Sequence, residues 1–196
     1  MSTRLPASPP PFAPQFPQNR WCRLCRWIIV HTGWKLLGKL PAKPRLVLVI
    51  APHSSFWDGF WGILFRIALG LRIGVMIKAE LFTTPLGPAL RKLGGIPIRR
   101  DTTKGVVEQM VEYFAQNEKL WLAITPEGTR KPVKRWKTGF WHIAHNAGVP
   151  IQLVYFHYPE KTIGFGPLLY TSNNADEDMQ RIQSFFAPFR GKHRGI

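Results

Sequence analysis

Leu46-Val47-Leu48-Val49-Ile50 leads through Ala51-Pro52 into His53-Ser54-Ser55-Phe56-Trp57-Asp58. The first five residues are uncharged, apolar and flanked by prolines, the pattern of a strand buried on both faces. From Phe56 to about Leu69 the chain reads as a helix. The same alternation continues downstream. Ile73–Lys78 is a predicted strand, Pro85 to Leu93 a short helix stopped by Gly94-Gly95, and Ile96-Pro97-Ile98 a brief extended piece. Thr103 to Asn117 is an amphipathic helix with Val106/Val107, Met110/Val111 and Phe114 at helical spacing. Leu120–Thr125 is a strand that runs straight into Pro126-Glu127-Gly128-Thr129-Arg130. Thr138 to Ala147 is a helix ended by Gly148, and Val149–Phe156 a strand. Strands alternating with helices predict an α/β fold, a single domain with a mostly parallel sheet flanked by helices.

In open α/β sheets, ligands sit beyond the carboxyl ends of the strands. His53 follows one predicted strand and Glu127 to Arg130 follow another. Lys78 ends a third, and Arg99/Arg100 follow a fourth. Groups distant in sequence are therefore expected in one crevice. His53 with Asp58 offers a base and a carboxylate to orient it. Six histidines and four aspartates in 196 residues give roughly 0.1 chance pairs at this spacing, so the pair alone is a weak signal. The alternative is a structural histidine at a helix start, with Asp58 favoured in the first turn by the helix dipole. In the second segment, Gly128 allows close backbone approach, Thr129 adds a hydroxyl, and Arg130 can grip a phosphate in two parallel bonds. Glu127 can hold a neighbouring basic residue or orient the loop. Lys131, Lys134, Arg135 and Lys137 extend the positive field. Adjacent arginines on an extended segment point opposite ways, so one of Arg99 and Arg100 faces the site. Lys78 is a further candidate cation.

The length of 196 residues fits one domain, and a hydrophobic content of 45% argues against global disorder. The formal charge of +16 implies an anionic partner: nucleic acid, an acidic membrane surface or a phosphorylated substrate. Arg20, Arg23, Arg26, Lys35, Lys39, Lys43 and Arg45 are interleaved with Trp21, Trp27 and Trp34, which suits a lipid headgroup boundary. Residues 18–40 are expected to form a basic amphipathic, membrane-docking helix. Residues 1–17, with six prolines, read as a disordered or polyproline-like tail. The domain proper is placed at 41–190, and 191–196 as a loose basic tail. No transmembrane helix or secretory signal is expected. The chain is read as peripheral, on the cytoplasmic face of a membrane. Cys22 and Cys25 lack a second pair of metal ligands and read as small apolar residues on a helix. His142 and His145 have no acidic third ligand nearby, so no metal and no cofactor is expected. No nucleophile elbow, Walker loop or dinucleotide fingerprint occurs, which favours direct attack by a substrate hydroxyl.

Four ordered segments resemble the motif blocks of the glycerolipid acyltransferases. They are His53-Ser54-Ser55-Phe56-Trp57-Asp58, Gly95-Ile96-Pro97-Ile98-Arg99, Pro126-Glu127-Gly128-Thr129-Arg130 and Val149-Pro150-Ile151. The chain is most similar to bacterial lysophosphatidic acid acyltransferase-like proteins, from about Leu46 to Phe156. The resemblance implies a glycerol-3-phosphate acyltransferase-like fold. It implies transfer of a fatty acyl group from acyl-CoA or acyl-carrier protein to a lysophospholipid hydroxyl, 1-acylglycerol-3-phosphate first among acceptors. His53 is then the general base and Asp58 its partner. Arg99, Glu127, Gly128, Thr129 and Arg130 bind the acceptor's phosphate side, Lys78 assists, and Pro150 shapes the acyl-donor side. Phe60 to Phe65 lines an acyl groove or packs in the core. An anionic membrane surface is an expected partner and nucleic acid is not. Other lysolipid or aminoacyl-lipid acceptors, a lipid hydrolase, and a non-catalytic basic protein binding membrane or nucleic acid remain the competing readings.

Overall fold

A computed structural model describes residues 5–6, 8–99 and 101–196; Arg100 lies outside the described residues. In chain order the elements are α1 (Arg20–His31), β1 (Lys35–Leu37), β2 (Arg45–Ala51), α2 (Phe56–Leu69) and β3 (Ile73–Lys78). A 3₁₀ turn (Ala79–Thr83), α3 (Gly87–Lys92), β4 (Gly95–Ile98), α4 (Val106–Gln116) and β5 (Leu120–Ile124) follow. The chain closes with α5 (Gly139–Asn146), β6 (Ile151–His157), β7 (Thr162–Leu169) and α6 (Ala175–Phe186).

The strands form one seven-stranded sheet ordered β1-β7-β6-β2-β5-β3-β4. The run β6-β2-β5-β3-β4 is parallel throughout, and only β6 and β7 pair antiparallel. The expected mostly parallel α/β sheet is therefore present. β2 lies at its centre and is buried on both faces, which explains its unbroken apolar run. Val47, Val49 and Ala51 pack with Met110 and Phe114 of α4, Phe140 and Ile143 of α5, and Ile182 and Phe186 of α6. Leu46 and Leu48 point the other way, onto Cys25 and Ile29 of α1 and Phe65, Ala68 and Leu69 of α2. The result is three layers, with the carboxyl ends of five strands along one edge.

Three boundaries depart from the sequence reading. The helix expected over 18–40 ends at His31, where Gly33 takes a positive φ of 78°. Trp34 then turns inward against Phe65, Phe156 and Tyr158, and Lys35–Leu37 joins the sheet beside β7. The proline-rich segment is not a free tail where it is described. Ala13 is buried, the Arg72 N–H donates to the Pro14 carbonyl (2.8 Å), and the Phe16 N–H donates to that of Gly70 (3.0 Å). Residues 191–196 pack against the candidate site described below. Cys22 and Cys25 face the core as free thiols, and burial raises the Cys25 pKa, with a smaller contribution from Cys22.

Candidate active site

β2 delivers His53 to the carboxyl edge of the sheet, and α2 begins three residues later. Ser55 caps the helix by accepting the Trp57 N–H (3.2 Å), and Asp58, at the third helical position, accepts the Ser55 N–H (2.9 Å). This is a capping box, in which orphan amides at the helix start are satisfied by side chains. The same carboxylate oxygen accepts from the Ser54 N–H (2.8 Å) and from His53 Nδ1 (3.1 Å). The other oxygen accepts the Tyr158 hydroxyl (2.6 Å). A cap residue thus doubles as the partner of the histidine.

The asymmetry of exposure is informative. The Asp58 side chain is 2% exposed, whereas that of His53 is 23% exposed. Burial alone raises the Asp58 pKa, but hydrogen bonds from His53, Tyr158, Ser55 and Ser54 outweigh it and hold the carboxyl below its ordinary value. Burial first, then the bond and charge of Asp58, push the Tyr158 hydroxyl well above its usual range, so it stays a donor. With Nδ1–H committed to a carboxylate, the Nε2 lone pair faces outward. That is the tautomer a general base needs.

The loop after β5 meets the same place. Glu127 accepts the His53 backbone N–H with both oxygens (3.1 and 3.0 Å). Its side chain is 0% exposed, and Arg194 Nη2 stands 3.6 Å from one oxygen. Burial raises its pKa, opposed by the His53 N–H, Arg194 and His53, while the nearby Asp58 charge reinforces it. Glu127 was expected on the phosphate side. It instead ties the two motif loops together, and a carboxylate facing a phosphate would repel it. Its bonds to the His53 N–H and its approach to Arg194 orient the loop around it. Gly128 turns the chain at φ 65° beside the Lys137 side chain, whose Cε would lie 2.9 Å from an added Cβ. Thr129 and Arg130 are exposed on the rim, Thr129 Oγ1 accepting the Lys131 N–H (3.3 Å). No carboxylate pairs with Arg130 among the described residues.

Lys78 and Arg99 lie at the same edge, ending β3 and following β4. Both are exposed, and the Arg99 backbone is pinned by Gln109 through its N–H (3.0 Å) and carbonyl (2.7 Å). Pro150 is not brought to the site. It is buried just before β6 begins, and its carbonyl accepts the Val47 N–H (3.0 Å), at the opposite end of the sheet from His53. Parallel strands place their starts together and their ends together, so a residue before β6 cannot share an edge with one after β2.

Between α2 and the sheet a mostly apolar cavity of about 370 Å³ starts at His53 and Asp58. Ile50, Gly62, Ile63, Val75, Ala123 and Phe156 are among its walls. Of the stretch 60–65, Gly62 and Ile63 line this cavity, while Leu64 and Phe65 pack in the core. Phe60 is not among the cavity walls and pairs edge-on with Trp57 and Trp61. Among the described residues no group of three His, Cys, Asp or Glu side chains is arranged to hold a metal.

The sequence reading missed Tyr158 and Arg194. Arg194 Nη2 donates to the carbonyls of Lys131 (2.8 Å), Arg130 (3.3 Å) and His53 (3.4 Å). Beside it, the His193 N–H donates to Ser54 Oγ (3.3 Å). Nothing in a short basic tail marks one arginine as a brace. Arg194→Ala is expected to lower kcat on the order of tenfold while acceptor KM stays within about twofold, because it loosens His53 rather than a substrate contact. Steady-state kinetics decide this; a wild-type kcat would mean that His53 is held without Arg194.

A profile of the family described as Acyltransferase matches residues 36–157. The chain is 30% identical over 148 residues to a 1-acyl-sn-glycerol-3-phosphate acyltransferase of Pseudomonas aeruginosa, covering 70% of this chain and 55% of that protein. It is 31% identical over 132 residues to the lysophospholipid acyltransferase LPCAT4 of Xenopus tropicalis, covering 63% and 23%. The chain thus spans about half the length of the first of these relatives and about a quarter of the second. Among solved structures, the LPA acyltransferase PlsC from Thermotoga maritima superimposes with a TM-score of 0.59 at 16% identity, covering 84% of this chain and 74% of that one. At that identity the likeness is one of fold.

Proposed function

The chain belongs to the Acyltransferase family, whose profile covers residues 36–157, and on that premise we propose that it moves a fatty acyl group from a thioester to a hydroxyl of a lysophospholipid. The observation that carries this reading is the outward-facing His53, backed by a buried Asp58, at the head of an apolar cavity. A hydroxyl is too weak an acid to attack unaided at neutral pH, and a positioned imidazole removes that obstacle. The acceptor O–H gives its proton to His53 Nε2 as the oxygen bonds to the thioester carbonyl carbon. The carbon–sulfur bond then breaks, and the departing thiolate takes the proton back from the imidazolium. Asp58 stabilises the imidazolium between these steps. The acyl chain is placed in the cavity between α2 and the sheet, where Ile50, Ile63, Val75 and Phe156 offer it apolar surface.

The acceptor proposed first is 1-acylglycerol-3-phosphate, giving phosphatidate, in keeping with the name of the Pseudomonas relative. Acyl-CoA or acyl-carrier protein is the proposed donor. Arg130, Gly128 and Thr129 with Arg99 and Lys78 form the proposed phosphate rim. The protein is proposed to work peripherally, at the cytoplasmic face of a membrane. Arg130→Ala is expected to raise acceptor KM about tenfold to a hundredfold with a smaller effect on kcat, because a charge-assisted phosphate contact is lost. Initial rates against lysophosphatidic acid test it, and an unchanged KM and kcat/KM would remove Arg130 from the rim. A thioester-to-lysolipid transfer assay tests the reading as a whole.

A further inference from the structure

α2 is apolar on every side, which is the composition of a buried or membrane-lying helix. Its only charged residues are Asp58 and Arg66. Asp58 is turned to the site, and Arg66 Nη1 donates to the Ile73 (3.1 Å) and Leu93 (2.6 Å) carbonyls. Yet Phe56 is 72% exposed, Ile63 51%, Trp57 45% and Phe60 39%. Phe56, Phe60 and Ile63 share one stripe, at i, i+4 and i+7. Among the described residues nothing covers that stripe.

Two independent features say what does. The His53 cavity opens on this side, since Gly59 and Ile63 belong to its wall and Ile63 and Val75 remain exposed at its rim. The surroundings are cationic. Lys192 lies 4.8 Å over the Trp57 ring, and a groove along the far part of α2, bounded by Trp21, Ile67 and Leu93, contains Arg66, Arg72 and Lys92. A second copy of the chain would set like charges against each other around the stripe, whereas an anionic bilayer complements both the rings and the cations.

We propose that the outer face of α2 seats on an anionic bilayer, with Phe56, Trp57 and Phe60 at the acyl boundary and the cavity mouth at Ile63 opening into the leaflet. The proposal rests on the acyl-transfer reading for the use of the cavity, though not for the docking itself. It moves the main lipid contact from α1 to α2. α1 buries Cys22, Cys25 and Ile29 and exposes Trp21, Leu24, Trp27 and Val30 beside the charges of Arg20 and Arg23, so it is a second lipid contact rather than one at the cavity mouth.

The test is co-sedimentation with vesicles of three parts phosphatidylcholine to one part phosphatidylglycerol. Phe56→Ser/Phe60→Ser is expected to lower the partition coefficient about tenfold or more, and Trp27→Ser on α1 by less. Circular-dichroism melting confirms the fold of each variant. Partition of the double variant within twofold of wild type overturns the proposal. So does a lipid-free dimer that the double variant dissociates, because a second copy would then own the face. A second readout needs no loss of aromatic surface: bromine-labelled lipid should quench wild type more than Trp57→Phe, and equal quenching counts against the proposal. Turnover of a short-chain, monomeric lysophosphatidic acid is measured in parallel and should be equal in wild type and double variant. Failure of both proteins to turn it over would contradict the acyl-transfer reading while the vesicle result still decides the docking.

Discussion

His53→Ala is expected to lower kcat/KM for acyl transfer by about a thousandfold, with the fold and vesicle binding intact. The side chain is partly exposed, and its one side-chain bond goes to Asp58, so its removal leaves a single buried carboxylate partly unpaired. That carboxylate still accepts from Ser54, Ser55 and Tyr158, which limits the structural cost. What disappears is the only imidazole at the head of the cavity among the described residues, and with it the proposed acceptor of the hydroxyl proton. Rates with a saturating thioester and matched circular-dichroism spectra check this. A variant within tenfold of wild type would mean that another base acts.

Asp58→Asn is expected to cost on the order of a hundredfold in kcat with a modest loss of stability. The amide oxygen can keep its place toward His53, Ser54 and Ser55, and the NH₂ can donate to the Tyr158 oxygen. Shape and tautomer therefore survive, while the negative charge that stabilises the imidazolium does not. The same charge has a signature in folding. The Asp58 carboxyl is held below its ordinary value, about 3.9 in unfolded chains, so its contribution to stability is complete above that pH. It is lost as pH falls through the lower folded value. The gap in urea midpoint between wild type and Asp58→Asn should therefore hold steady above about pH 5 and shrink as pH falls below about 4. A constant gap would show that ionisation of Asp58 does not matter to the fold, and a wild-type kcat would show that its charge does not matter to catalysis.

Most of the sheet was legible because parallel strands buried on both faces read as continuous apolar runs. β2, β3, β5 and β6 appear within two residues of their expected positions. β7 was not legible. Its Gly164 and Gly166 weaken any strand signal, and Pro167 adds to this. The glycines are there because the rings of Tyr155 and Phe185 occupy the space a Cβ would need, 2.0 and 2.2 Å away. That requirement exists only once the sheet is folded. β1 is three residues long, too short to show a period. α6 carries a local signal, with Asn174 as cap and Asp176, Glu177 and Asp178 in its first turn.

The site was legible where residues are close in sequence. Five positions across a strand-to-helix turn brought His53 onto Asp58, and the convergence of β2 and β5 was implied by sheet topology. The parts held by distant segments were not. Glu127 reaches back 74 positions to the His53 amide, Tyr158 reaches 100 positions to Asp58, and Arg194 joins from 141 positions away. No local spacing encodes such contacts. The Pro150 expectation came from resemblance alone, and the register of β6 against β2 puts that residue at the other edge.

The central claim is that His53 delivers an acceptor hydroxyl, rather than water, to an acyl thioester. The most direct test incubates the protein with labelled acyl-CoA or labelled acyl-carrier protein and a panel of lysolipids headed by 1-acylglycerol-3-phosphate, and resolves the lipid products. A labelled diacyl product, formed with one acceptor in preference to the rest and absent with His53→Ala, is the predicted result. Labelled free fatty acid formed equally with and without acceptor would make the protein a hydrolase, and no product from any pair on a folded, vesicle-bound sample would contradict catalysis at His53 altogether.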